Sequence, residues 1–288
     1  MASIRDLNHK IGSLQNMQKV MRAMNMIAST KFSKLLTKQI ALLKFTEALE
    51  DVRNSLFLRI SQSSSPIVTG EVDSKRVHII LFTADRGLCG SHNNSISKGL
   101  EKLVAKLGVD VDDFDVTSVG SRGAKYCRKR EYNIYHTVDI NEKTLQDGNL
   151  LRISQTLLKR FNNSEIGSAY IVYNKFISAL TQDTTVEKVL PIQIDKEFLA
   201  NNNQEVTSDV SDLELAEHAA PMLIFYQLKT ALSNSYLSEH GARMTAMENA
   251  SNNSQDLIER YGAIKNRARQ TAITNELTEI VSGTEAMK

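Results

Sequence analysis

The chain has 288 residues, 41% hydrophobic and 24% charged, which is ordinary for a globular protein and enough for a sizeable core. Its formal net charge of +2 excludes a strong electrostatic preference of the whole molecule for nucleic acid. Two cysteines, Cys89 and Cys127, are too few for a disulfide framework, and no apolar run approaches the roughly 20 residues of a membrane span, so direct bilayer insertion is not expected.

The first 65 residues predict one long helix. No proline precedes Pro66, and Gly12 is the only glycine before it. Apolar residues recur at intervals of three and four, at Ile4, Leu7, Ile11, Leu14, Met17, Met21, Met24 and Ile27. This spacing is typical of a coiled-coil seam. At about 1.5 Å per residue such a helix would measure roughly 80–90 Å, so we expect it to project from any compact domain.

Beyond Pro66 the pattern changes to short apolar segments that alternate with helical ones. Residues 77–83 form an almost wholly apolar run, which is typical of a strand buried on both faces. Further strands are predicted at 115–119, 169–177 and 186–194, and helices at 96–107, 122–130 and 145–161. This alternation predicts an α/β fold with a mostly parallel, Rossmann-like sheet.

The last third of the chain returns to a helical pattern. Residues 195–208 read as a polar linker, and after Ser211 a helix is predicted to continue to about Gly283. Its apolar seam comprises Leu257, Tyr261, Ile264, Ala268, Ile273, Leu277 and Ile280. Because neither terminal helix can bury its seam alone, we expect the two to wind around each other, most simply as an antiparallel coiled coil. The predicted domains are residues 1–65, 66–208 and 209–288.

The motifs give little support for catalysis. The sequence contains no GxxxxGK[ST] phosphate loop, no HExxH zinc motif and no GxSxG elbow, so no metal or cofactor is predicted. Two places leave a nucleotide site open: residues 120–125 (GSRGAK), and Asp85 with Arg86 after the first strand, where α/β folds position ligands. The alternatives are a turn with a basic helix start and a loop held by an ion pair. An α/β enzyme or nucleotide-binding protein with a coiled-coil adaptor is therefore the alternative function.

Four separated segments carry a family resemblance. These segments resemble, in this order along the chain, motifs of the gamma subunits of F-type rotary ATP synthases. They are residues 19–31 (KVMRAMNMIASTK), 85–90 (DRGLCG) with Asn93, 239–250 (EHGARMTAMENA) and 266–283 (NRARQTAITNELTEIVSG). The match covers both ends and the centre of the chain, whereas residues 109–203 carry little family-specific signal.

This resemblance implies a central rotor shaft that is not itself an enzyme. The paired helices would turn inside a hexamer of alternating alpha and beta subunits, and ion-driven rotation would cycle the catalytic beta subunits for ATP synthesis. The α/β domain would contact an epsilon-type (or mitochondrial delta) subunit and the membrane c-ring. The expected location is the inner face of an energy-transducing membrane, either the cytoplasmic side of a bacterial plasma membrane or the matrix side of the mitochondrial inner membrane. The absence of a recognisable transit peptide favours a bacterial or an already processed mitochondrial chain.

The resemblance also implies roles for particular residues. Arg269 and Gln270 match a pair that hydrogen-bonds an acidic loop of a beta subunit, and Met24 matches a position facing a mobile acidic segment of beta. Glu239 and Arg243 match a helix-stabilising and coupling region. The residues that match the characteristic family loop are Asp85, Arg86, Gly87 and Gly90.

Two positions depart from the family pattern. Lys265 stands where an aromatic residue is usual, and Gly12 stands where a better helix former is usual. The glycine is expected to cost about 0.5–1 kcal/mol of helix stability.

Overall fold

The computed structural model describes residues 3–60, 65–139, 147–192 and 212–287, so the predicted linker at 195–208 lies outside the described residues. The helices are α1 (Ile4–Ile60), α2 (Pro66–Thr69), α3 (His92–Leu107), α4 (Ser121–Lys129), α5 (Asp147–Asn162) and α6 (Asp212–Ala286). The strands are β1 (Val77–Phe82), β2 (Phe114–Val119), β3 (Ile134–Val138), β4 (Ser168–Phe176) and β5 (Gln182–Leu190).

The chain divides into two compact units. One comprises Met1–Ser29 and Arg243–Lys288 and is called the helical unit below, and the other, Thr30–Ala242, is called the sheet unit. The long N- and C-terminal helices contribute to both units. The three-part division expected from the sequence stays a prediction.

The sheet unit has the Rossmann-like topology that the sequence predicts. The strand order is β3-β2-β1-β4-β5, with β1, β2, β3 and β4 parallel and β5 antiparallel to β4. Sequence reasoning missed β3 and began β5 four residues late. Both strands lie at the ends of the sheet and are only partly buried, so polar residues interrupt the apolar run by which the buried strands were found.

Alternate residues of β1 supply two separate cores. Ile79 and Leu81 pack with residues of α3 and α4 on one face of the sheet. Ile80 and Phe82 pack on the other face with residues of α5 and the first half of α6. Ser235 of α6 donates a hydrogen bond from Oγ to the carbonyl of Phe82 at 3.1 Å. A polar side chain thus fixes α6 at the carboxyl end of the central strand.

In the helical unit, α1 and α6 are paired. Lys10 Nζ lies 5.6 Å from the ring centre of Tyr261, and Gln18 Nε2 donates to Gln255 Oε1 at 3.0 Å. Contact positions rise along α1 as they fall along α6, so the helices are antiparallel, as expected.

The seam of α1 differs from the predicted one at two positions. Gln18 and Ala28 are buried, whereas Met17 and Ile27 are 48% and 59% exposed. The heptad that begins at Leu7 therefore passes through the polar Gln18 and the small Ala28, not through their larger apolar neighbours. The Gln18 amide is compensated, because Nε2 donates to the Ser251 carbonyl at 3.3 Å as well as to Gln255.

The seam predicted for α6 is also partly wrong. Ser251 and Ser254 are buried, and Leu257 is 39% exposed. Toward the C-terminus the exposure of the predicted seam residues rises, with Ile273 at 49%, Leu277 at 58% and Ile280 at 64%. The register set by Lys10 and Tyr261 explains this, since α1 begins at Ile4 and α6 beyond Ala268 has no described α1 residue opposite it.

Candidate functional site

The positions predicted to contact beta subunits lie in the helical unit. Arg269 and Gln270 are exposed on α6, and Met24 is half-buried on α1. Among the described residues, no ion-pair partner of Arg269 is present, so its guanidinium is available to another chain. Threonine hydroxyls bond the helix backbone around this pair, with Thr274 Oγ1 donating to the Gln270 carbonyl at 3.0 Å.

Apolar side chains are exposed around these positions. On α6 they include Ile273, Leu277, Ile280 and Val281, the last 56% exposed. On α1 they include Val20, Met26 and Ile27, with Met26 70% exposed. Single exposed apolar residues are normal, but a series along two paired helices indicates a surface that other protein covers.

Glu239 and Arg243 occupy different surroundings. Glu239, in the sheet unit, is 6% exposed, and Arg243, in the helical unit, is 8% exposed. Both side chains are therefore enclosed by this chain and do not form an exposed contact surface. Their assignment to a coupling region remains a prediction.

The family loop connects β1 to α3 and is fixed by the start of α4. Asp85 is half-buried, and its carboxylate Oδ1 accepts the backbone N–H of Ser121 at 2.7 Å. The Ser121 hydroxyl donates back to the carbonyl of Asp85 at 3.0 Å. Gly90 has a φ of 55°, in the left-handed region that glycine adopts without strain. Arg86 is exposed, and Gly87 approaches Arg122 closely enough that an added Cβ would lie 2.9 Å from Nη2.

The same contacts bear on the alternative of a nucleotide site. Phosphate binding at a helix start requires free backbone N–H groups. The first three backbone N–H groups of α4 already donate hydrogen bonds within the chain. The N–H of Ser121 donates to the Asp85 carboxylate, that of Arg122 to the Ala84 carbonyl at 3.1 Å, and that of Gly123 to Thr83 Oγ1 at 2.8 Å. The Asp85 carboxylate thus occupies the position that a phosphate would need, and its charge would repel one.

Gly120 and Gly123 are glycines because of close packing. A Cβ on Gly120, whose φ is 103°, would lie 2.0 Å from the Thr83 carbonyl oxygen. A Cβ on Gly123 would lie 2.6 Å from Ser118 Oγ. These approaches explain the glycine spacing of residues 120–125 without a ligand.

A buried polar cluster in the sheet unit has the connectivity of a catalytic triad. His78 Nδ1 bonds Asp115 Oδ1, and His78 Nε2 lies 3.0 Å from Thr117 Oγ1. All three residues are nearly inaccessible, with His78 2%, Asp115 5% and Thr117 3% exposed. Arg160 Nη2 also donates to Asp115 Oδ2 at 2.7 Å. Since no substrate can reach the Thr117 hydroxyl, the cluster is structural.

His78 and Asp115 in this cluster have lowered pKa values. Burial alone would raise the pKa of Asp115, but hydrogen bonds from His78 and Arg160 outweigh it and bring the pKa to about 2. Burial lowers the pKa of His78 against the opposing effect of Asp115. A neutral His78 can donate from Nδ1 to Asp115 and accept the Thr117 hydroxyl at Nε2. Arg160 Nη1, which lies 2.7 Å from His78 Nδ1, then donates to Asp115 Oδ1 at 3.1 Å.

The described ranges contain no group of three or more His, Cys, Asp or Glu side chains arranged to hold a metal ion. In the same part of the chain, no helix is long and apolar enough to cross a bilayer. A doubly wound α/β unit, an antiparallel helix pair and an exposed apolar and basic helix surface together define the class: a protein that works by contacting other protein chains.

Comparison with known proteins identifies the family. Residues 3–287 match the family described as ATP synthase. The chain is 31% identical to the ATP synthase gamma chain of Syntrophus aciditrophicus over 293 residues, covering 100% of this chain and 99% of the relative. It is 33% identical to the ATP synthase gamma chain of Clostridium kluyveri over 292 residues, which cover 100% of this chain and 99% of the relative. The chain therefore belongs to the ATP synthase gamma chain family.

Solved structures agree on the fold. The Euglena gracilis mitochondrial ATP synthase, solved with OSCP, F1 and c-ring, contains a chain that matches with a TM-score of 0.67 at 17% identity, covering 99% of this chain and 94% of that one. A chain of the central stalk and c-ring structure of the Tetrahymena thermophila mitochondrial ATP synthase matches with a TM-score of 0.61 at 20% identity. The match covers 81% of this chain and 99% of that one.

Proposed function

We propose that this chain is the central rotor shaft of a rotary ATP synthase. In this proposal ion flow turns a membrane ring and the shaft together, and the shaft cycles the catalytic beta subunits through the conformations of ATP synthesis. The shaft itself performs no catalysis. Its conformational effect arises because each orientation presents different side chains to each beta subunit and so changes the free energies of their states by different amounts.

The main support is the exposed surface of the helical unit. Arg269 extends from α6 without an ion-pair partner among the described residues, next to a run of exposed apolar side chains that continues to Val281. An arginine can bond a carboxylate through two parallel N–H groups, so it is suited to an acidic loop on a surrounding subunit. The apolar residues would be covered by the same surrounding subunits.

The proposal includes partners and location. The helix pair would lie within the hexamer of alpha and beta subunits, and the sheet unit would contact an epsilon-type subunit and the c-ring. The protein would then be peripheral on the inner face of an energy-transducing membrane, with the cytoplasmic side of a bacterial plasma membrane as the first expectation, because the relatives cited above are bacterial.

The test is a double substitution at the predicted contact. Arg269→Ala with Gln270→Ala removes the charged and amide donors without changing the helix core. A hydrogen bond to a charged group contributes about 1.5–3 kcal/mol, so we expect ATP turnover of the assembled complex to fall at least about tenfold. The measurement is the ATP hydrolysis rate per assembled complex, with subunit content checked on a gel.

Arg152→Ala with Gln155→Ala is the matched control, since both side chains are exposed on α5 in the sheet unit. We expect it to leave turnover unchanged. Wild-type turnover in the Arg269 and Gln270 variant would refute the assigned contact, and a chain that copurifies with no ATP synthase subunit would refute the proposed function.

A further inference from the structure

The sheet unit contains a groove of about 600 Å³ between α3 and the strands β4 and β5. Lys98, Lys102 and Lys106 line one side from α3, and Lys188 lines the other from β5. The described residues lining it include no acidic side chain. Four positive charges therefore meet at one groove, in a chain whose net charge is only +2.

The pleat of β5 keeps carboxylates out of this groove. Thr184, Val186 and Lys188 alternate along the strand and face α3. Glu187 points to the opposite face, where Oε1 accepts the hydroxyl of Tyr173 at 2.5 Å. Within the described part of the chain, none of the four lysines has an ion pair. Their charges are thus left for a ligand from outside the chain.

The groove also opens beside the outer edge of β5. β5 is the last strand in the sheet order, and its outer edge pairs with no described strand. Such an edge presents backbone N–H and C=O groups to which an extended segment can add as a further strand. Every second side chain of an added strand would point toward the face that carries α3.

The spacing of the lysines fits such a segment. Residues four apart on a helix are separated by about 6 Å along its axis, so Lys98, Lys102 and Lys106 form a row spanning about 12 Å. Alternate residues of a strand are separated by about 6.7 Å. Carboxylates at every second position of an extended segment would therefore match the lysine row nearly one to one, whereas carboxylates at successive positions would point to opposite faces.

We propose that this groove and the outer edge of β5 bind an acidic, extended segment of another protein as a sixth strand of the sheet. Its alternate carboxylates pair with Lys98, Lys102 and Lys106, and Lys188 holds one further carboxylate from the strand side. This interaction goes beyond the shaft function and does not depend on it, because it uses only the sheet unit.

The test measures peptide binding to the full-length chain. The probe is a fluorescently labelled peptide of five Glu-Thr repeats, and its comparison peptide has five Glu followed by five Thr. Because the alternating peptide gains several exposed ion pairs, each of them weak, we expect fluorescence anisotropy to show about tenfold tighter binding of this peptide. The triple variant Lys98→Gln, Lys102→Gln, Lys106→Gln should lose about tenfold in affinity for it.

The matched control is Lys125→Gln, Arg128→Gln, Lys129→Gln, which removes three exposed positive charges from α4. It should bind the alternating peptide within about twofold of wild type, and circular dichroism should show both variants folded. Equal affinity for the two peptides, an equal loss in both variants, tighter binding of inorganic triphosphate than of peptide, or no binding at all would each overturn the proposal. In the last case the lysines serve only to keep other strands from the edge of the sheet.

Discussion

At the scale of single residues, Asp115 and Arg160 form a buried ion pair. The side chains of both residues are 7% exposed, and two hydrogen bonds, of 3.1 and 2.7 Å, connect them. The Arg160 guanidinium also lies 4.2 Å from the ring centre of Tyr135. Removing one member of a buried pair typically costs about 3–5 kcal/mol, because the other charge stays buried without compensation.

This contact predicts a specific pH dependence of stability. The pKa of Asp115 is lowered from 3.8 to about 2. Its contribution, about 2 kcal/mol, is therefore complete above pH 3.8 and is lost as the pH falls through 2. The pKa of His78 is lowered from 6.5, so the unfolded chain takes up this proton before the folded chain does. Stability therefore begins to fall as the pH drops below 6.5, before Asp115 has any effect. Asp115→Asn should destabilise the protein at neutral pH and flatten the curve between pH 4 and pH 2.

Urea denaturation across this pH range measures both effects. Glu101→Gln is the control, because Glu101 pairs with Arg130 at an exposed site where the two side chains are 36% and 54% exposed. That variant should unfold much like wild type at neutral pH. An Asp115→Asn protein that retains the wild-type slope below pH 4 would show that this carboxylate does not carry the acid dependence.

The sequence could not reveal this cluster, although it contains every member of it. His78, Asp115 and Arg160 are 37 and 45 residues apart along the chain, and only the parallel pairing of β1 with β2 brings the first two side by side. Gln18 is a different case. A heptad repeat that starts at Leu7 continues through Leu14 to Met21, and the seam position between the last two is Gln18. The heptad could therefore have placed this glutamine in the seam. It was overlooked because the larger apolar neighbour Met17 was preferred for that position.

At the scale of elements, the buried strands were predicted best and the outer strands worst. β1 matches its predicted range to within one residue, because all six of its residues are buried and apolar side chains dominate it. None of the five residues of β3 is fully buried, and its histidine and threonine weaken the apolar signal. The length of α1 was also predictable, since the first 65 residues lack proline. The exposure of α6 beyond Ala268 could not be predicted, because it depends on where α1 begins.

Gly12 tests whether α1 needs flexibility in its first turns. α1 continues through Gly12 without a break, and an added Cβ would meet no atom within 4 Å. Gly12→Ala should therefore stabilise the helical unit by about 0.5–1 kcal/mol, by reducing the conformational freedom of the unfolded chain. Thermal unfolding followed by circular dichroism measures the change. Gly120→Ala is the contrasting variant, because its Cβ would overlap the Thr83 carbonyl oxygen, and it should be destabilised. A Gly12→Ala protein less stable than wild type would contradict this expectation and would mean that the added methyl group is not accommodated in the helix pair.

At the scale of the whole molecule, a shaft must contact its surroundings without adhering to them. The described apolar residues on the exposed face of the helical unit meet this need, since apolar contacts are non-directional and change little as one surface turns past another. An ion pair is different, because its energy depends on distance and orientation and must be lost at each step.

Met24 is the position where this distinction can be tested. It is half-buried on α1, so a lysine there can extend its ammonium group to the surface. In the proposed assembly this ammonium group would meet an acidic segment of a beta subunit. Met24→Lys should then preserve ATP hydrolysis better than it preserves proton pumping, because the added ion pair opposes rotation at one orientation without altering the catalytic residues. Hydrolysis and pumping are measured on the same membrane vesicles, and Met24→Leu, which keeps the apolar contact, should leave their ratio unchanged. If lysine reduces both activities by the same factor, Met24 affects assembly or stability and does not lie at a contact that governs coupling.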